Sequence, residues 1–132
     1  MDLVSKVKND NKKIECYSWS DVHKLIDGMA DVAKKKEITN IYGIPRGGLI
    51  VAVMLSHKLN LPLITDKGLI SKNTLIVDDI EDSSNTMKHY KQLFPDSLFF
   101  AMVSKKGIDK CTCDFYVGFC SIKIWAKFPW EE

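Results

Sequence analysis

Thr74-Leu75-Ile76-Val77-Asp78-Asp79-Ile80-Glu81-Asp82-Ser83-Ser84-Asn85-Thr86 is the stretch that decides how this chain is read. Thr74 to Val77 has the apolar, β-branched character of a buried strand. Two adjacent carboxylates close it, and Asp82 opens a turn of hydroxyl and amide side chains. A helical pattern follows from about Thr86 to Phe94, with Pro95 as its stop. A strand that passes through a short polar turn into a helix is the repeating unit of an α/β sheet, and sites in such sheets lie outside the carboxyl ends of strands. The residues gathered here suit a phosphorylated sugar. Carboxylates can hold sugar hydroxyls and a divalent cation, and the turn offers N–H and O–H donors beside the positive end of a helix dipole.

Working outward, Ile38 to Ile44 is expected to be a short strand closed by Pro45-Arg46-Gly47-Gly48. Leu49 to Leu59 then reads as a helix that is apolar nearly all round, which predicts burial on more than one side. Leu61 to Ile64 is a further short strand, and Thr65 to Asn73 a brief polar connection. Beyond the motif, Ser97 to Val103 is an apolar strand and Lys105-Lys106-Gly107 a loop. Phe115 to Phe119 and Ile122 to Trp125 are strand pieces. Near the start, Trp19-Ser20-Asp21 reads as a helix entry with Ser20 as N-cap and Trp19 as a staple. Val22, Leu25, Ile26, Met29 and Ala33 recur at helical spacing, and the lysines at 34–36 suit the end of that helix. Residues 1–15 are polar and lysine-rich, a loose or edge segment. Strands alternating with helices predict a doubly wound, mostly parallel α/β sheet, built as one domain over residues 1–132.

Composition limits the function classes. With 132 residues, 45% hydrophobic and 27% charged, the chain can bury a core without disulfide or metal staples. A net charge of +2 makes no electrostatic case for nucleic acid or a membrane surface, and the runs Lys6 to Lys13 and Lys34 to Lys36 read as solvated faces. No apolar stretch is long enough to span a bilayer and no signal-peptide core follows the charged start, so a cytoplasmic protein is expected. Cys111, Cys113 and Cys120 could offer three thiolates, but the paired spacing of zinc sites is missing. Those three and Cys16 are expected to be free thiols. His23, His57 and His89 lie within expected helices without partners at ligand spacing.

Three polar groups fall at expected strand ends. In Pro45-Arg46-Gly47-Gly48 the glycines permit a tight turn and close approach to an anion, and Arg46 adds a permanent charge; an ordinary βα turn with a surface arginine has the same sequence character. Asp78-Asp79 with Asp82 offers hard oxygen ligands of the kind Mg²⁺ takes, against the alternative of a solvated acidic turn. Ser83-Ser84-Asn85-Thr86 could cradle a phosphate or simply cap the next helix, since both use the same N–H groups. The triphosphate-binding G-x-x-x-x-G-K-[ST] loop and the dinucleotide G-x-G-x-x-G turn are both absent.

Val77 to Thr86 resembles the 5-phosphoribosyl-1-pyrophosphate (PRPP) motif of type I phosphoribosyltransferases, and Ile44-Pro45-Arg46-Gly47-Gly48 is similar to the pyrophosphate loop of the same family. Trp125-Ala126-Lys127-Phe128-Pro129-Trp130-Glu131 and the Tyr17-Ser18-Trp19 entry to a helix resemble the xanthine-guanine and hypoxanthine branch. The resemblance runs over residues 16–131. It implies the type I phosphoribosyltransferase fold with a short C-terminal hood-like segment. It also implies transfer of the phosphoribosyl group of PRPP to a 6-oxopurine (guanine, xanthine or hypoxanthine), with Mg²⁺ as cofactor. Asp78 and Asp79 would hold the ribose hydroxyls and the Mg²⁺ shell, and Ser83, Ser84, Asn85 and Thr86 the 5′-phosphate. Arg46 and Gly47 would bind departing pyrophosphate, and Asp82 would take the proton near N7. Lys105 would meet the purine 6-oxygen, Trp125 would stack on the base, and the backbone near Ala126 would meet its edge. Homodimers or higher oligomers are common in the family. Two departures are visible. A long closing loop is expected before the motif strand where only Thr65 to Asn73 stands, and Ser84 occupies a position where the family usually has glycine. Both are compatible with an alternative, a PRPP- or purine-nucleotide-binding regulatory homologue with weak or no turnover. An unrelated receiver-like α/β domain binding Mg²⁺ is a third reading, opposed by Arg46-Gly47-Gly48 and the Trp125 to Glu131 tail.

Overall fold

Parallel pairing between buried apolar strands sets the architecture. The structure is a computed structural model that describes residues 4–8 and 12–131, with side chains from residue 13 onward. In chain order it contains β1 (Val4–Lys8), β2 (Lys12–Cys16), α1 (Trp19–Ala33), β3 (Asn40–Gly43), α2 (Gly47–Leu59), β4 (Leu63–Ile64), β5 (Thr74–Glu81), α3 (Asn85–Leu93), β6 (Leu98–Ser104), β7 (Phe115–Phe119) and β8 (Ile124–Lys127). Five strands form one wholly parallel sheet in the order β4-β3-β5-β6-β7. Side chains alternate across it. Ile41, Leu75, Val77, Phe100 and Met102 pack with α1 and α2 on one face. Tyr42, Ile76, Phe99 and Ala101 pack with Met87 and Tyr90 of α3 on the other. The sheet is doubly wound, as the alternation of elements predicts.

The strand order places the site. From β3 the chain passes through α2 to β4 on one side. β5 then pairs on the other side of β3 and leads into α3 on the opposite face. The carboxyl ends of β3 and β5 are therefore neighbours at the point where the winding reverses, the crevice in which open α/β sheets take ligands.

Several boundaries differ from the sequence reading, each for a tertiary reason. β5 does not stop at Val77. It continues to Glu81, with Asp78 opposite Ala101, Ile80 opposite Val103 and Glu81 opposite Ser104 on β6. Backbone pairing with a buried neighbour overrides the poor strand propensity of aspartate. The lysine-rich start, expected to be loose or at an edge, is an edge where it is described. β1 pairs antiparallel with β2, and β2 pairs in parallel with β8, giving a second sheet in the order β1-β2-β8. Its residues 1–3 and 9–11 lie outside the described residues. The last strand is displaced, running Ile124–Lys127 instead of Ile122 to Trp125, because it registers on Lys13 to Cys16. α2 is not buried all round. Gly48, Val51, Ala52 and Leu55 are covered, whereas Val53 is 39% exposed, so one apolar side faces outward. Ile38 to Ile44 narrows to Asn40–Gly43, and Leu61 to Ile64 to Leu63–Ile64.

The entry to α1 is a correction of mechanism. Ser18, not Ser20, is the N-cap. Its hydroxyl accepts from the Asp21 N–H at 3.1 Å, while the Asp21 carboxylate accepts from the Ser18 N–H at 2.9 Å. This reciprocal box satisfies two donors that the first helical turn cannot pair internally. Ser18→Ala is expected to cost about 1 kcal/mol in urea unfolding, the usual worth of a cap, with Ser20→Ala within about 0.5 kcal/mol of wild type.

Candidate functional site

Two turns meet at the reversal point because two residues between them lack side chains. A methyl group on Gly47 would run into the Asp79 carboxylate, and one on Gly48 would lie 2.7 Å from the Val77 carbonyl oxygen and 3.0 Å from Asp78 Cα. Glycine at both positions lets the start of α2 sit on the end of β5, tied further by the Ile44 N–H to the Val77 carbonyl at 2.9 Å. Arg46 stands at the N-cap of α2, exposed, and its guanidinium forms no salt bridge among the described residues. It is placed at the carboxyl end of β3 with its charge unspent.

Asp78 and Asp79 follow directly. Asp78 Oδ1 accepts from the Asp79 N–H at 2.8 Å and Asp79 Oδ1 from the Ile80 N–H at 2.8 Å. Burial, reinforced by hydrogen bonding and repulsion from Asp79, pushes the Asp78 carboxyl up to about 9. No basic side chain pairs with either acid among the described residues. Two adjacent hard oxygen donors, one of them penalised for carrying its charge, form the kind of set a divalent cation fits.

The turn 82–84 shows how the hydroxyls before α3 are used. Ser84 has a φ of 71°, in the left-handed region that disfavours side chains. Its hydroxyl does not cap α3 but donates to the Glu81 carboxylate. Ser84 makes no side-chain cap on α3, and Ser83 Oγ accepts weakly from the Asn85 N–H at 3.4 Å. The start of α3 adjoins a hollow of about 100 Å³, lined by Asp78, Glu81, Asp82, Ser83, Ser84 and Thr86 together with Ile80 and Met87.

Glu81 escaped the sequence reading as a separate feature. It is 2% exposed, and besides Ser84 it accepts the N–H groups of Thr112 at 2.7 Å and Cys113 at 2.9 Å. Burial alone would raise its carboxyl, but hydrogen bonds from Ser84, Thr112 and Cys113 outweigh this and hold it below the usual range. Its two backbone donors stand some thirty residues downstream, so no local spacing announces them. Cys111 and Cys113 approach this carboxylate, with all three ligand atoms within 4.8 Å. Burial, then Glu81, pushes the Cys113 thiol well above its ordinary value. Cys120 stands apart, near the Ile124 carbonyl, and all four cysteines are free.

On the other side of the turn, Lys105 Nζ lies 3.4 Å from Asp82 Oδ2, with the lysine side chain 8% exposed and the aspartate 60%. The two residues expected at the purine edge are thus neighbours. Trp125 and Ala126 lie on β8 in the second sheet and line no part of the hollow. Trp125 is 57% exposed, so its ring face is free of the core. The connection 65–73 is tied down. Lys67 Nζ sits 4.8 Å above the Tyr90 ring, Ile70 packs on the α3-side core, and the Ser71 carbonyl accepts from Ser97 Oγ at 2.7 Å.

No protein-family model matches the chain. It is 24% identical over 133 residues to a xanthine-guanine phosphoribosyltransferase of Chromohalobacter salexigens, covering 86% of this chain and 82% of the relative. Among solved structures it is similar to a purine phosphoribosyltransferase from Pyrococcus horikoshii, with 28% identity, a TM-score of 0.73, and coverage of 89% of this chain and 93% of that one. The xanthine-guanine-hypoxanthine phosphoribosyltransferase of Helicobacter pylori shares the fold at a TM-score of 0.67 and 20% identity, covering 87% of this chain and 90% of that one.

The Asp78 carboxyl makes a prediction about pH. Its value of about 9 lies above the ordinary 3.8, so the unfolded chain releases this proton first. The contribution to stability is complete below about pH 4 and drains away as pH rises towards 9. Without metal, Asp78→Asn should be more stable than wild type at pH 8, by about 1–3 kcal/mol in denaturant titrations, with the gap closing towards pH 4.

Proposed function

We propose that this chain, by kinship and fold a type I phosphoribosyltransferase of the 6-oxopurine branch, moves the 5-phosphoribosyl group of PRPP onto guanine, xanthine or hypoxanthine and releases pyrophosphate. The observation that carries the reading is the start of α3, left without a cap by Ser84 and set beside a hollow that Asp78 also lines. Phosphate and ribose hydroxyls of one ligand would find their partners on one short stretch of chain.

In this reading Ser83, Asn85 and Thr86, with the α3 amides, hold the 5′-phosphate, and Ser84 shapes the turn. Asp78 and Asp79 hold the ribose 2′- and 3′-hydroxyls and the Mg²⁺ shell. Mg²⁺, when bound, supplies positive charge against the pyrophosphate oxygens. Arg46 and the backbone at Gly47 take the rest of that anion. The C1′–oxygen bond to pyrophosphate breaks as a purine nitrogen bonds to C1′, and the proton released from the base goes to Asp82. Lys105 donates to the 6-oxygen and Trp125 stacks on the ring, with the backbone near Ala126 at its edge. No protein nucleophile takes part, so positioning and electrostatic stabilisation supply the rate. Four free thiols and the absence, among the described residues, of a helix able to cross a membrane are in keeping with a cytoplasmic place for this chemistry.

A second reading, a nucleotide-binding homologue that does not turn over, is favoured by one observation. The connection 65–73 is pinned to the body, whereas closing segments that exclude water must move.

The test is an assay of the protein with PRPP, Mg²⁺ and each base. Nucleotide and pyrophosphate should form in equal amounts and stop on chelation of the metal. Binding of PRPP with no product from any base would establish the second reading. Asp79→Asn should weaken Mg²⁺-dependent PRPP binding by about tenfold or more in calorimetry, and Lys105→Ala should lower kcat/KM for guanine by about 10- to 150-fold, the loss of one hydrogen bond from a charged donor.

A further inference from the structure

We propose that Glu81 is a positioning residue that keeps the phosphate turn and the lysine-bearing loop in register with each other. The inference rests on the phosphoribosyltransferase reading. Glu81 ends β5 and touches three segments at once. Ser84 Oγ in the phosphate turn donates to Oε2. The N–H groups of Thr112 and Cys113, at the far end of the 105–114 connection, donate to Oε2 at 2.7 Å and Oε1 at 2.9 Å. The Glu81 carbonyl accepts the Lys105 N–H at 2.9 Å, fixing the near end of the same connection. One buried side chain and its own backbone thus fasten the 5′-phosphate turn on one side and both ends of the loop that carries Lys105 on the other.

The arrangement explains why serine stands in a left-handed turn. The φ of 71° is a conformation glycine adopts freely and serine does not. A hydrogen bond to a buried carboxylate holds Ser84 there and also withdraws its hydroxyl from the α3 amides, which stay open for a phosphate. A carboxylate fits because the Thr112 and Cys113 N–H groups can only donate and go to different oxygens. Glutamine offers one acceptor oxygen and would turn its NH₂ group against one of those N–H groups. The nearby thiols do not convert this cluster into a metal centre, since three protein donors already occupy the carboxylate and Cys111 Sγ lies 3.3 Å from the Cys113 carbonyl.

Glu81→Gln is measured in the Ser84 background and again in a Ser84→Gly background, by calorimetry with PRPP and Mg²⁺ and by steady-state KM for guanine. E81Q should weaken PRPP binding about tenfold beside Ser84 and less than about threefold beside glycine, because glycine needs no tether. The rise in KM for guanine should persist in both backgrounds, because glycine does not replace the acceptor for Thr112 and Cys113. Equal PRPP losses in the two backgrounds would overturn the proposal. Amide hydrogen exchange provides an arm independent of function. E81Q should speed exchange at Thr112 and Cys113 in both backgrounds, and unchanged protection there would overturn the proposal even if no PRPP binding were found. Failure of the wild type to bind PRPP would instead count against the phosphoribosyltransferase reading. If E81Q does not fold, Glu81→Asp, which keeps the charge but shortens the reach, should give the same pattern with smaller changes, and its absence would be decisive in the same way.

Discussion

The parallel ladder between β5 and β6 is the interaction on which the site depends. It begins in the core, with Leu75 opposite Leu98, and still pairs Glu81 with Ser104 at the crevice. Because it runs past Val77, Asp78 is delivered on paired strand, while the Asp79 and Ile80 N–H groups turn to the aspartate side chains. Asp78 reaches the hollow ahead of α3, and Asp79 packs against Gly47. The loop after β3 can approach this strand end only because Gly47 and Gly48 present no side chain to it. Sites built on strands hold their groups more firmly than sites on loops, which suits a chemistry that works by placement.

Much of this was legible in the sequence, and what was not has physical causes. The strands at the centre read correctly because apolar, β-branched runs such as Leu75 to Val77 and Phe99 to Val103 carry their burial in their composition. β1 was legible only as an edge, and β2 not as a strand, since Lys6, Lys8, Lys12 and Lys13 look solvated and β8, the partner of β2, comes from far along the chain. The cap of α1 was misplaced by two residues because Ser18 and Ser20 both suit the role, and only the reciprocal bonds with Asp21 choose between them. At the site, Asp78, Asp79, Asp82 and the 83–86 turn were visible as a local cluster. Glu81 was invisible as a tether, although it sits inside that cluster, because what distinguishes it from a surface acid is its contact with Thr112 and Cys113.

The same neighbourhood breaks a local rule and compensates for it. A serine with positive φ, an uncapped helix start and a buried carboxylate would each be unfavourable alone. Together they are consistent. The carboxylate finds its donors, the serine finds a reason for its backbone, and its hydroxyl is turned away from the start of the helix. Such concentrated departures from sequence-level expectation are characteristic of functional sites.

The tethered connection between β4 and β5 bears on a different property, the competition between two attacking groups. Lys67 lies over Tyr90 and Ser71 is bonded from Ser97, so the contacts of this short connection are with the α3 side of the fold. In the proposed reaction a ribosyl centre that develops positive charge at C1′ would then meet bulk water as well as the purine. The division of product between nucleotide and free ribose 5-phosphate would follow from how fully the bound base displaces solvent before pyrophosphate departs. Under that proposal, fidelity would rest on having the base in place before the bond to pyrophosphate breaks.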